Sequence, residues 1–329
     1  MQLTQLMQMT KKIFVHAGVV AFGALAFVTL SLSVAHAEED ASQRPSNEST
    51  SSETPSDDST QTKSYGKRQS LSLPQSQTEV SEDTSDADVG SAGSFSATYF
   101  GIFYGPGIQN PSSYQPTENG QTDTDKPVML KNFLGLGYNI TDHVRLTPTA
   151  YWQWMPSAGG SYSIQDPFIK LSDDSIVGNE EWNLYGDIRY HAPVSSFSQA
   201  ANLQGSVQSV QVLTFLPQGS RFLMGLYGSE REYFYGNQGY GDDFELYVGP
   251  NVSYRLSPSL QLTMLYEINA VHVYQAPNTQ LQSDGTDLQP GISWDVSNNF
   301  NVHPYLSMFP SNPSWQTTSV GMLLYWQAF

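Results

Sequence analysis

The stretch Phe244-Glu-Leu-Tyr-Val-Gly-Pro-Asn-Val-Ser-Tyr-Arg-Leu256 decides the fold. Every second residue is apolar: Phe244, Leu246, Val248, Pro250, Val252, Tyr254 and Leu256. The residues between them are polar, small or amphipathic: Glu245, Tyr247, Gly249, Asn251, Ser253 and Arg255. Successive side chains of a strand point to opposite faces, so this period of two predicts a strand with one apolar wall. At about 3.3 Å per residue the run is long enough to cross a bilayer at a tilt. A strand of a water-soluble sandwich alternates too, but its apolar face points into a core.

Four more segments repeat the pattern. Val144, Leu146, Pro148, Ala150, Trp152 and Trp154 oppose His143, Arg145, Thr147, Thr149, Tyr151 and Gln153. Trp182, Leu184, Gly186, Ile188 and Tyr190 oppose Asn183, Tyr185, Asp187, Arg189 and His191. Leu260 to Ile268 and Leu288 to Val296 alternate in the same way, with Glu267 and Asp295 in their polar sets. In these segments the charged residues fall on one face. A lipid-facing Arg or Lys costs about 2–4 kcal/mol near the bilayer midplane, which accounts for the segregation.

Composition agrees with a barrel whose walls alternate. Charged residues make up 14% and aromatics 12% of the chain, a balance that suits interfacial aromatic girdles. Mean hydropathy is −0.36, as expected when no window is apolar throughout. A net charge of −17 argues against nucleic acid as a partner, since phosphate binding needs cations to displace counterions. The chain has no cysteine, which removes disulfides, thiolate metal sites and a lipid anchor on cysteine.

Both ends carry sorting information. Lys11 and Lys12 precede an apolar run to about Val34, followed by Ala35-His36-Ala37. A charged start, an apolar middle and a small-x-small site predict a secretory signal peptide over residues 1–37, cleaved after Ala37. The last residues alternate and finish on an aromatic: Val320-Gly-Met-Leu-Leu-Tyr-Trp-Gln-Ala-Phe329. This ending resembles the C-terminal sorting signal of bacterial outer-membrane β-barrel proteins, with Phe329, Tyr325 and Leu323 on the signal face. Gln327 departs from that pattern. The resemblance covers about residues 93–329 and implies a porin-like barrel in a Gram-negative outer membrane. It also implies contact with outer-membrane lipid and lipopolysaccharide, and with barrel-insertion machinery.

The chain divides into three parts. After the signal, residues 38–92 are rich in Ser, Thr, Gln, Asp and Glu and bury too little apolar surface to offset ordering entropy. We expect a disordered acidic periplasmic tail, with a reach of about 40 Å that permits cell-wall contact. A short basic patch, Lys63, Lys67 and Arg68, interrupts it. Residues 93–329 form the expected barrel, all-β, antiparallel and up-and-down. Strands are expected near 94–105, 128–140, 143–155, 162–171, 180–192, 205–216, 221–234, 244–256, 259–273, 286–296, 299–309 and 316–329. That makes about twelve. Ten is the alternative, if 162–171 is a loop around Asp166-Pro167 and 205–234 is one bulged strand. Tight polar turns at 140–143, 217–220, 256–259 and 296–299 belong to the periplasmic rim. Under the twelve-strand layout Asp173-Asp174 is a further turn there. Longer segments at 105–126, 235–243 and 274–286 belong outside.

Arg145, Asp187, Arg189, Glu245, Arg255, Glu267, Asp295 and His303 are the candidate lumen residues. Charges of both signs in a lumen tune ion selectivity, or pair and fill it. The leading expectation is a channel for passive passage of small polar solutes or ions. The alternative is a closed structural or surface-interaction barrel acting through its loops. A lipid-active enzyme ranks below both. His272 is the best catalytic candidate, but no serine is evidently poised beside it, and an interfacial role accounts for it better. Asp123 with Asp125, Asp242 with Asp243, and Asp284 with Asp287 offer hard oxygen ligands without the spacing of a calcium loop. Gly135-Leu-Gly137 and Gly105-Pro-Gly107 lack the following helix of a phosphate loop. Neither a metal nor a cofactor is expected.

Overall fold

Strands in hydrocarbon must satisfy every backbone N–H and C=O among themselves, which a sheet achieves only by closing on itself. The computed structural model describes residues 93–156, 160–179, 181–237, 239–276 and 280–328. The expected signal peptide with Ala35 and Ala37, the tail to residue 92, and Phe329 lie outside the described residues. The elements in chain order are β1 (Phe95–Gly107), β2 (Tyr114–Pro116), β3 (Thr122–Pro127), β4 (Met129–Asn139), β5 (Val144–Met155), β6 (Ser161–Ile164), β7 (Phe168–Gly178) and β8 (Trp182–His191). They continue with the short helix α1 (Ser196–Ala200), β9 (Leu203–Phe215), β10 (Phe222–Tyr235), β11 (Asp242–Ser257), β12 (Leu260–Val273), β13 (Gln282–Ser297), β14 (Phe300–Ser307) and β15 (Ser319–Gln327).

Among the described residues these strands form a 13-stranded antiparallel sheet; β6 is an annex on β5, and the other twelve close into a barrel. Closure is made by β1, which pairs with β4 on one side and β15 on the other, Ile102 lying opposite both Lys131 and Leu323. Each remaining strand pairs with its sequence neighbours, so the barrel is up-and-down. β2 and β3 form a separate two-stranded hairpin.

The connections sort by length. Ile140 to His143, Pro217 to Ser220, Pro258-Ser259 and Asn298-Asn299 are tight, and all lie at one rim. Gly219 adopts φ 69°, the left-handed turn conformation that glycine enters without steric cost, while the Ser220 amide donates to the Pro217 carbonyl. This turn separates β9 from β10 and settles the count at twelve rather than ten. The opposite rim carries the β2–β3 hairpin, β6, α1 and the longer loops.

The fourth barrel strand differs from the expected 162–171. It begins at Phe168 and runs to Gly178, so Asp173 and Asp174 are strand residues and not a turn. The reason lies at Asp166-Pro167. Proline has no N–H for a ladder, so pairing starts one residue later. Its carbonyl instead accepts from the Ala192 amide, and the Asp166 carboxylate accepts from the Ser195 amide (2.8 Å) and the Ser198 hydroxyl. The dipeptide thus anchors the β8–β9 loop. β13 also begins earlier than expected, at Gln282, so part of the anticipated loop is strand.

Register assigns the faces. Leu262, Met264, Ile292, Trp294 and Val296 are outward and exposed. Near the tight-turn rim outward aromatics pair across strands: Phe95 with Tyr138 and Phe222 with Tyr254 in tilted contact, and Trp182 stacked on Phe215, with centroids 5.2, 4.7 and 4.2 Å apart. A second set, including Tyr190, Phe234 and Phe244, lies toward the other rim. On β10 the two rings are marked by Phe222 and Phe234. Twelve residues at about 3.3 Å, tilted by about 40°, separate them by roughly 30 Å, the thickness of a bilayer's hydrocarbon.

Candidate functional site: the lumen and its mouth

The inward face is divided into two arcs. On β1, β4, β14 and β15, with Phe168 at the loop-side end of β7, it carries an apolar cluster: Ile102, Tyr104, Met129, Phe133, Phe168, Tyr305 and Leu323 are buried together. From β8 to β13 polar groups predominate, around a second buried apolar cluster of Val210, Val212, Tyr227 and Tyr247. There Arg189 grips Asp187 through two hydrogen bonds of 2.7 Å, and the Tyr185 hydroxyl donates to the same carboxylate at 2.7 Å. Gln208 meets His191 (3.1 Å) and donates to the Ser229 hydroxyl (2.9 Å). The Arg231 guanidinium donates to Ser206, and the Tyr233 hydroxyl to Glu245 at 2.7 Å. Thr263 and His303 are 2.8 Å apart.

All eight candidate lumen residues lie on this inward face. Arg145 and Arg255 stand near the tight-turn rim, Arg145 donating to the Asn139 side chain at 2.7 Å. Asp295, at the same rim, accepts from Asn301 at 2.7 Å. Asp187 and Glu267 are mid-strand and wholly buried, as are Ile102 and Val210. Tight packing of charges with their partners is what buried ions require, since an isolated one carries a large desolvation cost.

Several inward groups were not singled out in the sequence. Lys131 is buried on β4 with its ammonium 4.9 Å from the Tyr104 ring centroid. Lys170 on β7 lies opposite Arg189, and Arg231 lies opposite Gln208 and Glu245. The parity of Lys131 with Phe133 was readable, but an apolar inward neighbour disguised the face. β10 departs further. Glu230 and Glu232 point outward, Glu230 opposite Ser209 and Leu246. Gln211, also outward between Gly186 and Gly228, donates to the Ser209 hydroxyl.

Leu323 and Tyr325, read as part of the terminal signal face, point into the lumen, opposite His303 and Asn301. Gly321 shares their face by parity, and a Cβ there would overlap the Tyr305 ring. Val320, Met322, Leu324 and Trp326 are the outward set.

At the loop-side rim the longest connection folds back over the opening. Its hairpin β2–β3 is fastened to the β14–β15 loop: Asn312 donates to the Glu118 carbonyl at 2.8 Å, and the Ser311 hydroxyl to the Glu118 carboxylate. Under the hairpin lies a small cavity of about 60 Å³, continuous with solvent and lined by Gln115, Lys126, Asp287 and Tyr305 among others.

Other sequence candidates are placed elsewhere. His272 is near the loop-side end of β12, with Nδ1 2.5 Å from the Asp243 carboxylate. Asp123 accepts from the Asp125 amide at 3.1 Å, a local turn bond.

Comparison with solved structures finds weak similarity to outer membrane proteins. The COG4313 outer membrane channel from Pseudomonas putida F1 is 12% identical, with 75% of this chain and all of that chain covered and a TM-score of 0.47. OmpT, an outer membrane protein of Vibrio cholerae in its in-vitro folded trimer form, is 7% identical, with 72% of this chain and all of that one covered and a TM-score of 0.34. No protein-family model matches the sequence, and no curated protein does.

Proposed function

We propose that this chain is an integral barrel of a bacterial outer membrane and a porin-like channel of narrow bore for small polar solutes or ions. Two outward aromatic rings a bilayer apart support the location. The observation that carries the channel reading is the inward polar arc on β8–β13, which continues from the loop-side pocket past Asp187 and Arg189 to Arg255 and Asp295 at the other rim. Charged rings and pairs at such positions set ion selectivity in pores. The reading assigns no catalytic step, and gives His272 and Asp243 a structural role at the outer interface.

The test is single-channel conductance of the full-length protein in a planar bilayer under a salt gradient, after a heat-modifiable gel shift has shown folding. Discrete steps whose reversal potential moves on charge reversal of Arg145, Arg189 or Arg255 support the channel. A folded barrel that stays silent refutes it.

The second reading is a closed barrel acting through its loops. The full burial of Ile102, Asp187, Val210 and Glu267 favours it. It predicts silence in the bilayer, and a binding phenotype that responds to loop deletion and ignores lumen charges.

A further inference from the structure

The chain enters the barrel wall beside a lumen cation. At the tight-turn rim the Gly93 amide donates to the Asn139 carbonyl (2.8 Å), and the Asn139 amide to the Ser94 carbonyl (3.0 Å). The Asn139 side chain then bridges inward. Its nitrogen donates to the Ser94 hydroxyl at 2.7 Å, and its oxygen accepts from Arg145 Nε at 2.7 Å. Arg145 is therefore two hydrogen bonds away from the point where residues 38–92 join the barrel.

Positive charge is in excess on the inward face here. Arg145 and Arg255 stand near the rim, and Lys170 lies diagonally above Arg145, two residues from its cross-strand partner Ser172. Among the described residues none of these three cations forms an ion pair, whereas Arg189 is neutralised by Asp187. Two inward carboxylates stand in the same region. Asp174 interacts electrostatically with both Arg145 and Lys170, and Asp295 already accepts from Asn301. Asp142 and Glu181 belong to exposed turns of the rim. A cation held in a lumen without its own counter-charge bears a desolvation cost that a carboxylate relieves.

The sequence supplies that counter-charge next to the mouth. Residues 79–88, Glu-Val-Ser-Glu-Asp-Thr-Ser-Asp-Ala-Asp, carry five carboxylates and no cation. Asp88 is six residues from Ser94, a span of up to about 20 Å along an extended chain. We propose that residues 79–88 dock in the tight-turn mouth of their own barrel, against Arg145, Lys170 and Arg255. The tether makes this an intramolecular event, with an effective concentration on the order of 1 mM, so several weak carboxylate–cation contacts act together. The contacts are screened by salt, and docking is reversible for that reason. Only the tether and the cations are required, so the inference does not rest on the channel reading. In a conducting barrel the docked segment obstructs this mouth.

Because the chain has no cysteine, a pair of spin labels can be placed without background. Thr84→Cys labels the acidic segment and Ser297→Cys the rim, in the full-length protein in detergent, with a heat-modifiable gel shift to show folding. The distance between the labels is read by pulsed electron resonance. A narrow, short distribution is expected at low salt. It should be lost at about 1 M salt, where the Debye length falls to about 3 Å. Replacing the five carboxylates of residues 79–88 by their amides should abolish the short distance at low salt, and this variant leaves the barrel wall untouched. Arg145→Gln with Arg255→Gln should abolish it too. A distribution that is broad at every salt concentration overturns the proposal. So does a short distance that survives neutralisation of the five carboxylates, because charge would then not hold the segment. Conductance separates this from the channel reading. A silent barrel with a salt-sensitive short distance removes the channel and supports the docking, whereas a conducting barrel with a broad distribution refutes the docking alone.

Discussion

Replacing Asp187 with alanine should destabilise the barrel by about 3–5 kcal/mol, the range for breaking a buried ion pair from one side. The local structure explains why the cost should reach that range. Arg189 donates twice to this carboxylate, at 2.7 Å each, and both side chains are almost fully shielded from solvent. Tyr185 loses its acceptor in the same step. Across the ladder Lys170 stands directly opposite Arg189, so removal of Asp187 also leaves two cations facing each other on neighbouring strands. The assay is urea unfolding of the vesicle-inserted protein, followed by tryptophan fluorescence. With a slope of about 2 kcal/mol per M, the midpoint should fall by about 2 M. The double variant Asp187→Leu with Arg189→Met should recover most of the loss, since a packed apolar pair of similar volume often equals a buried ion pair. A single variant within about 1 kcal/mol of the parent would refute the reasoning. A double variant no better than the single would refute it too, by showing that the loss did not come from an uncompensated guanidinium.

Four further outcomes follow from the geometry. Met264→Arg should cost about 2–4 kcal/mol in lipid vesicles by the same assay, because Met264 faces outward; the inward neighbour Thr263→Arg should show no such dependence on the hydrocarbon. Gly321→Val should cost about 1–3 kcal/mol through overlap with the Tyr305 ring, and adding Tyr305→Ala should relieve part of it. Deleting residues 109–127, which include the hairpin over the mouth, should raise single-channel conductance if the lumen conducts. His272→Ala should leave phospholipid turnover by protein-bearing vesicles unchanged, measured by release of labelled fatty acid, and a loss would make His272 catalytic.

Alternation alone was enough to predict most of the wall. A strand has a period of two whatever surrounds it, and lipid on one side tolerates few charges. Phe244 to Leu256 could therefore be read from sequence as one strand with assigned faces. The same local chemistry placed turns at Pro217 to Ser220 and Ile140 to His143. The reading failed where a contact distant in sequence decided the local outcome. Asp166 is bound by Ser195 and Ser198 from the next loop, which makes it an anchor rather than part of a strand. Gly321 is small because Tyr305 needs the space. Glu230 breaks the outward apolar pattern, and nothing in the structure explains it.

The sequence by itself determined an alternating, charge-segregated chain with tight turns, because those are properties of neighbours along the backbone. Tertiary structure alone decided that β1 closes on β15, that Lys170 stands opposite Arg189, and that Gln115 is carried over the mouth. Each of these depends on which strand lies beside which, or on how a long loop returns, and neither is written in any single segment.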